Sequence, residues 1–337
     1  MKTTLPIEKL KPAKARHIFK LFLCVLLMVG LLNGFAIWFL KDHTLNVGYL
    51  LTTKKWKLLI DTQKPVDWLI LGDSSGNAAV MPEVFHRKFG GSSLNLCTVG
   101  WLSALNDVWM LETYLKRFGP PKGVLIVHSA ESWYRETNQA LLAQIPLPWG
   151  FWERFDPPIQ LIPQKTFELF LDRYFPLYSH NETLSNVFQF RWGSIVHSFR
   201  MEPDGFVAHF ANPNEVEWST QVILQQMNKR PFQVSDVNEK AMRKLLALTR
   251  QYGFDLYLVN GPVYESLYQN PDFKKYFSGM QQKFTQMASS NPHFYYNPDP
   301  ALFHKEEMAN AFHVVPAAAR PYSEKVCDWI AKASARM

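Results

Sequence analysis

Gly72-Asp73-Ser74-Ser75 closes the apolar run Val66-Asp67-Trp68-Leu69-Ile70-Leu71, and a hydroxyl at the end of such a run has the placement a nucleophile needs. Residues 66–71 have the length of a buried strand, Gly72 permits a tight turn, and open α/β sheets bind ligands beyond the carboxyl ends of their strands. The same residues also read as a strand followed by a polar helix cap, because Asp and Ser favour that position without any chemistry. Far down the chain, Ala311-Phe312-His313-Val314-Val315-Pro316 precedes an amphipathic stretch from Tyr322 to Ile330. Acyl transfer needs a nucleophile, a base that takes its proton and donors aimed at the developing oxyanion. Ser74 and His313 supply the first two residue types.

Gly72-Asp73-Ser74, together with a late His before a small-residue turn and a terminal helix, resembles the SGNH, or GDSL-like, hydrolase superfamily over roughly residues 60–130 and 240–335. The resemblance implies Ser74 as nucleophile, His313 as base and Gly100, in Asn95-Leu96-Cys97-Thr98-Val99-Gly100, as a glycine of the oxyanion hole. Two positions depart from the family pattern. Where an Asp usually stands three residues before the His, this chain has Asn310, which can orient an imidazole but cannot neutralise an imidazolium. In a serine triad such an exchange costs orders of magnitude in turnover, largely through the wrong His tautomer. The family's Gly-x-Asn-Asp block is replaced by Val127-His128-Ser129-Ala130-Glu131, which leaves Ser129 or His128 as the substitute donor and His128 as a candidate substrate contact. Asn77 and Asn95 are expected close to Ser74, orienting the loop or the substrate. Asp299, in Asn297-Pro298-Asp299-Pro300, is a further carboxylate for His313, although turn chemistry alone explains an Asp between prolines.

The elements that must position these residues follow from the hydrophobic pattern. Five short runs rich in β-branched or aromatic residues, 66–71, 93–99, 123–127, 254–259 and 294–296, read as strands. Between them, Leu102–Phe118 has a helical apolar face, Asp236-x-x-Glu239 opens a helix ended by Gly253, and Phe273–Ala288 forms another. Alternating strands and helices predict a three-layer, flavodoxin-like parallel sheet of order 2-1-3-4-5 with helices on both faces. That order, which the resemblance also implies, brings Ser74, Gly100, the 128–131 turn and the His313 loop to one edge.

Residues 21–40 carry no charged side chain, and at about 1.5 Å per residue a helix of that length crosses a hydrocarbon core of ~30 Å. Residues 1–20 hold six basic groups and one acidic group, which predicts a cytoplasmic N-terminus and an extracytoplasmic main domain. The stretch exceeds a signal-peptide core and no small-x-small site follows it, so an uncleaved anchor is expected. The formal charge of +7 is mostly this tail, a net +5 that leaves +2 elsewhere, and so gives no footprint for nucleic acid. The expected organisation is a basic tail at 1–20, an anchor at 21–40, a tether and first packing segment at 41–65, an α/β domain at 66–130 and 236–337, and an insertion at 131–235. Trp133, Tyr134, Trp149, Trp152, Phe167 and Phe170 make that insertion too apolar for a free linker, whether it is a lid, a surface docking against a membrane partner or an elaborated core.

Cys97 and Cys327 leave one disulfide open, Cys97 reading as a buried small hydrophobe. No His-x-x-x-His or Cys-x-x-Cys spacing suggests a metal, and no cofactor is implied. Anchored, exported proteins of the superfamily add or remove acyl groups on envelope polysaccharides, often beside a membrane-bound O-acyltransferase. The resemblance therefore implies a serine O-acyl esterase or acyltransferase acting on a cell-envelope polysaccharide or acylated glycan at the cytoplasmic membrane. The alternative is a non-catalytic glycan-binding or scaffolding protein, which Asn310 and the missing block favour.

Overall fold

Five parallel strands, Ser93–Asn95, Trp68–Gly72, Gly123–His128, Asp255–Asn260 and Phe294–Tyr296 in that spatial order, form the central sheet of this computed structural model. It describes residues 12–189, 191, 196–197, 199–208, 213–227 and 231–335, so residues 1–11 of the basic tail lie outside the described residues. In chain order the first half contains α1 (Pro12–Phe39), β1 (His43–Thr44), α2 (Val47–Asp61), β2 (Trp68–Gly72), α3 (Ser74–Ala79), α4 (Pro82–Phe89), β3 (Ser93–Asn95), α5 (Ser103–Phe118) and β4 (Gly123–His128). Then come α6 (Pro163–Tyr174), α7 (Pro176–Ser179), α8 (Asn181–Phe188), β5 (Val196–His197), α9 (Pro213–Met227) and α10 (Asp236–Tyr252). The chain ends with β6 (Asp255–Asn260), β7 (Pro262–Tyr264), α11 (Glu265–Gln269), α12 (Pro271–Ser289), β8 (Phe294–Tyr296), β9 (Ala301–Phe303) and α13 (Pro316–Ser334).

The sheet strands occupy the five runs that their composition singles out, in the expected order of second, first, third, fourth and fifth. Registers such as Ile70 opposite Leu125 and Leu125 opposite Tyr257 align the carboxyl ends of β2, β4 and β6. Every residue of β2 and β4 is buried, the signature of a parallel sheet covered on both sides. Two sets of helices provide the cover: α5 packs with α10, and α13 packs along α3 and α4. The helix at 236–252 is capped by Ser235, whose Oγ accepts from the Asn238 N–H, rather than by the Asp236-x-x-Glu239 box. Gly253 ends it in the left-handed conformation, as expected.

Two compact units divide the chain, Met1–Asn46 with Ile162–Ser198, and Val47–Leu161 with Phe199–Met337, each taken over its described residues. The stretch 131–235 is thus split between them instead of forming one body. Residues 131–161 belong to the sheet unit, where Trp133 and Trp152 are buried and Trp109 meets Phe151 edge-on at 5.5 Å. In the other unit, α1 carries a 24-residue span, Arg16–Phe39, long and apolar enough to cross a membrane, and this fits a signal anchor or single-pass helix. Cys97 and Cys327 are separate, buried thiols.

Within the segment read as a tether and first packing segment, 41–65, the helix α2 packs into the sheet unit through Trp56 and Leu59. Its Lys55 is fully buried and donates to Asn95 O at 2.9 Å, Asn95 Oδ1 at 3.2 Å and Gly205 O at 2.5 Å, joining α2, β3 and the segment 199–208. Burial pulls the Lys55 ammonium down to about 7 against the opposing pull of the Cys97 and Asp204 side chains. The backbone carbonyls of Asn95 and Gly205 and the Asn95 side chain all accept from this one ammonium. Lys55→Met should therefore lower the unfolding free energy by roughly 2–4 kcal/mol. Urea denaturation of the detergent-solubilised protein, followed by tryptophan fluorescence, measures it, and an unchanged midpoint would refute the assignment.

Candidate active site at the carboxyl edge of the sheet

β2 ends at Gly72, whose φ of 135° is open only to glycine and where a side chain would collide with the Val127 carbonyl of β4. The turn aims Asp73 inward and leaves Ser74 as the partly exposed first residue of α3. Asp73 is buried to 1% exposure, and each of its oxygens is saturated. Oδ1 accepts from Ser75 N at 2.8 Å and Ser75 Oγ at 2.5 Å. Oδ2 accepts from Ser129 N and Oγ, both at 2.8 Å, and from Ser132 Oγ at 2.5 Å. Burial alone would raise this carboxyl, but the His128 imidazolium and the serine donors outweigh it and hold Asp73 well below the usual carboxylate range. Asp73 both caps α3 and ties the Ser74 turn to the loop after β4.

His128, the last residue of β4, lies beneath this knot rather than at the surface, with 3% exposure. Its Nε2 meets Asp107 Oδ2 at 2.7 Å, and its Nδ1 faces Asp73 Oδ2 across 3.6 Å, beyond hydrogen-bonding distance. Burial opposes its charge, yet the two carboxylates, Asp107 foremost, raise it to about 10. One imidazolium therefore stands between two buried carboxylates. Asn238, in the first turn of α10, accepts from Ala104 N and donates to the Ser132 and Trp133 carbonyls, which fixes the loop that presents Ser132.

Several residues expected to face substrate are engaged elsewhere. Ser129 spends both its donors on Asp73, and His128 is enclosed, so neither side chain is an oxyanion donor or a substrate contact. Asn95 donates to Gly76 O and Val80 O and accepts from Cys97 N and Lys55, so it is a structural tie. Asn77 is buried at 6% exposure one turn after Ser74, and its Oδ1 has no partner among the described residues. Gly100 lies directly against Asp73 and Ser132, with no room for a side chain, because a Cβ would come within 2.6 Å of Ser132 Oγ. Among the described residues, neither the Gly100 N–H nor the Ser74 N–H is bonded to a protein acceptor.

His313 reaches the same edge through α13. Tyr322 OH donates to the carbonyl of Asn260, the last residue of β6, while Ser334 lies 2.8 Å from the Tyr257 hydroxyl three residues earlier in that strand. The helix therefore runs against the strand direction, and everything before Tyr322 projects past the carboxyl edge. A tight loop holds His313 there: Ala309 N donates to His313 O at 2.7 Å, Val315 N to Glu307 O at 2.8 Å and Tyr264 N to Ala311 O at 3.0 Å.

The orientation of the ring follows from Asn310. Its Oδ1 accepts the backbone N–H groups of Phe312 and His313, both at 3.0 Å, which leaves Nδ2 to face His313 Nδ1 at 2.6 Å. An amide nitrogen can only donate, so Nδ1 accepts and the neutral ring carries its proton on Nε2. This is the opposite tautomer from the one an Asp at that position would select. Asp299 does not take the role, being exposed and engaged through its N–H with Asn297 Oδ1 at 3.2 Å.

Asp73, Asp107, Ser132 and Asn238 were missed as site-forming residues. Asp107 had a signal, since it falls three after Ala104 and four before Leu111 on the apolar face of α5, where a carboxylate demands a buried partner. Serines in turns carry no such mark. Removing the cation from between two buried carboxylates costs roughly 3–5 kcal/mol, so His128→Leu should destabilise by that order. The His128 value is raised above its ordinary 6.5, so its contribution is complete below that pH and is lost as pH rises through about 10. Urea midpoints of wild type and His128→Leu should converge over that interval, and a constant gap would refute the charged state.

No protein-family model matches the chain, and no curated protein matches it. Among solved structures, a protein of Streptococcus pneumonia provisionally named a platelet activating factor superposes with a TM-score of 0.38 and 13% identity, over 90% of this chain and 98% of that one.

Proposed function

We propose that this protein is a serine-dependent O-acyl esterase or acyltransferase of the SGNH type, anchored by α1 with its N-terminus inside, acting on an acylated glycan of the cell envelope. The reading is supported by a partly exposed Ser74 beyond the carboxyl end of β2, by backbone N–H groups at Ser74 and Gly100 that are unengaged among the described residues, and by the course of α13, which leads the His313 loop toward that edge. Ser74 Oγ attacks the acyl carbonyl, the Ser74 and Gly100 N–H groups receive the negative charge that develops on its oxygen, and His313 takes the serine proton and returns it to the leaving alkoxide. The acyl-serine then passes its group to water or to a sugar hydroxyl. A membrane-bound O-acyltransferase as donor would suit the anchored placement.

The Asn310 amide opposes the base step, because an imidazole with its proton on Nε2 must first move that proton before it can accept another. The wild-type rate is accordingly expected to be slow. A carboxylate at 310 accepts the Phe312 and His313 N–H groups and the His313 Nδ1–H together, so Asn310→Asp should raise hydrolysis of p-nitrophenyl acetate by about 10²–10⁴-fold, a gain that Ser74→Ala abolishes. The same tautomer favours a second reading, a glycan-binding or scaffolding protein without turnover. Wild-type and Asn310→Asp rates indistinguishable from Ser74→Ala would select it.

A further inference from the structure

In the unit formed by Met1–Asn46 and Ile162–Ser198, several aromatic side chains of α6–α8 are exposed. Phe167, Phe170 and Tyr174 of α6 fall at i, i+3 and i+7, one stripe on the helix, and are 61%, 39% and 40% exposed. Phe175, Tyr178 and Phe188 continue it at 44%, 69% and 73%. An amphipathic helix in water hides such a face, and here the hidden residue is Leu169 instead. Apolar surface of this extent calls for an occupant.

The identity of the occupant follows from where the helices join α1. Asn33 is a polar residue inside the apolar span, and both ends of its amide are used: Nδ2 donates to Tyr174 O at 2.7 Å and Oδ1 accepts from Leu177 N at 3.2 Å. These are the carbonyl that ends α6 and an N–H that begins α7, backbone groups that have no water to turn to within a bilayer. Three and six residues further, Ala36 and Phe39 pack with Leu184 of α8. The span Arg16–Phe39 is about 36 Å long at ~1.5 Å per residue, against ~30 Å of hydrocarbon, and Asn33 is six residues, about 9 Å, from its end. Sharing the excess equally puts Asn33 about 6 Å inside the hydrocarbon boundary, within the ~5–10 Å depth at which amphipathic helices lie in an interface.

We propose that α6–α8 form an interfacial membrane element, docked on the last turns of the anchor and burying the Phe167–Tyr178 stripe in the outer leaflet of the bilayer. The inference rests on α1 spanning the membrane. Asn33 latches the element to the span, and the tyrosines at 174 and 178 have the amphipathic character of a headgroup belt.

Nitroxide labels on the full-length protein in nanodiscs of phosphatidylethanolamine and phosphatidylglycerol test it by electron paramagnetic resonance. Native Cys24, the exposed cysteine, reports the anchor, while buried Cys97 and Cys327 stay unlabelled. In a Cys24→Ala background, Phe167→Cys, Phe170→Cys and Tyr178→Cys report the stripe, and Lys332→Cys, exposed on α13, reports water. The expected result is a severalfold higher ratio of oxygen to nickel-chelate collisions at the stripe than at Lys332→Cys, approaching the ratio at Cys24. Stripe labels that match Lys332→Cys while Cys24 stays lipid-exposed overturn this inference and leave the anchor standing. A water-exposed Cys24 overturns the anchor and the inference with it. Stripe labels shielded from both relaxants overturn the bilayer in favour of a protein partner.

Discussion

A carboxylate kept ionised inside a protein must be surrounded by donors, and that requirement at Asp73 organises the candidate site. Five hydrogen bonds from Ser75, Ser129 and Ser132 draw the end of β2 and the loop after β4 onto one atom pair. The His128 imidazolium below them supplies the balancing charge and is itself held by Asp107 from α5. Ser74 and Gly100 gain their positions from this knot: one is covalently next to Asp73, the other packs against its side chain. The polar residues nearest Ser74 act first on each other.

That division explains how far the amino-acid pattern could be read. β-branched runs and a glycine C-cap mark strands and helix ends by local physics, and the sheet order follows from alternation of elements. The direction of a polar side chain at a strand end is not local. Asp73, His128 and Ser129 have the same composition whether they face solvent or core, and the serines that decide the matter lie some 56 to 59 residues further along. Lys55 is the extreme case, since a basic residue between Lys54 and Lys57 reads as surface until Asn95 and Gly205 are brought to it. Likewise, nothing in the aromatic content of 131–235 distinguishes Trp152, which is core, from Phe167, which is exposed. The Asn310 anomaly was visible in the chain, but the direction of its amide needed the two backbone N–H groups that pin its oxygen.

Two polar devices in the molecule work by the same rule. In the sheet unit, buried carbonyls are satisfied by an ammonium whose charge burial disfavours. At the α6–α7 junction, backbone groups are satisfied by the neutral amide of Asn33. Each sits where a chain segment would otherwise leave orphan groups, and each joins segments far apart in sequence.

Asn and Asp differ by a single terminal group of nearly the same size, and the His313 loop already offers the two backbone donors that either would bind. One base of one codon separates the two residues, so the proton position on the His313 ring can be reset by a single-nucleotide step that leaves the loop holding it unchanged.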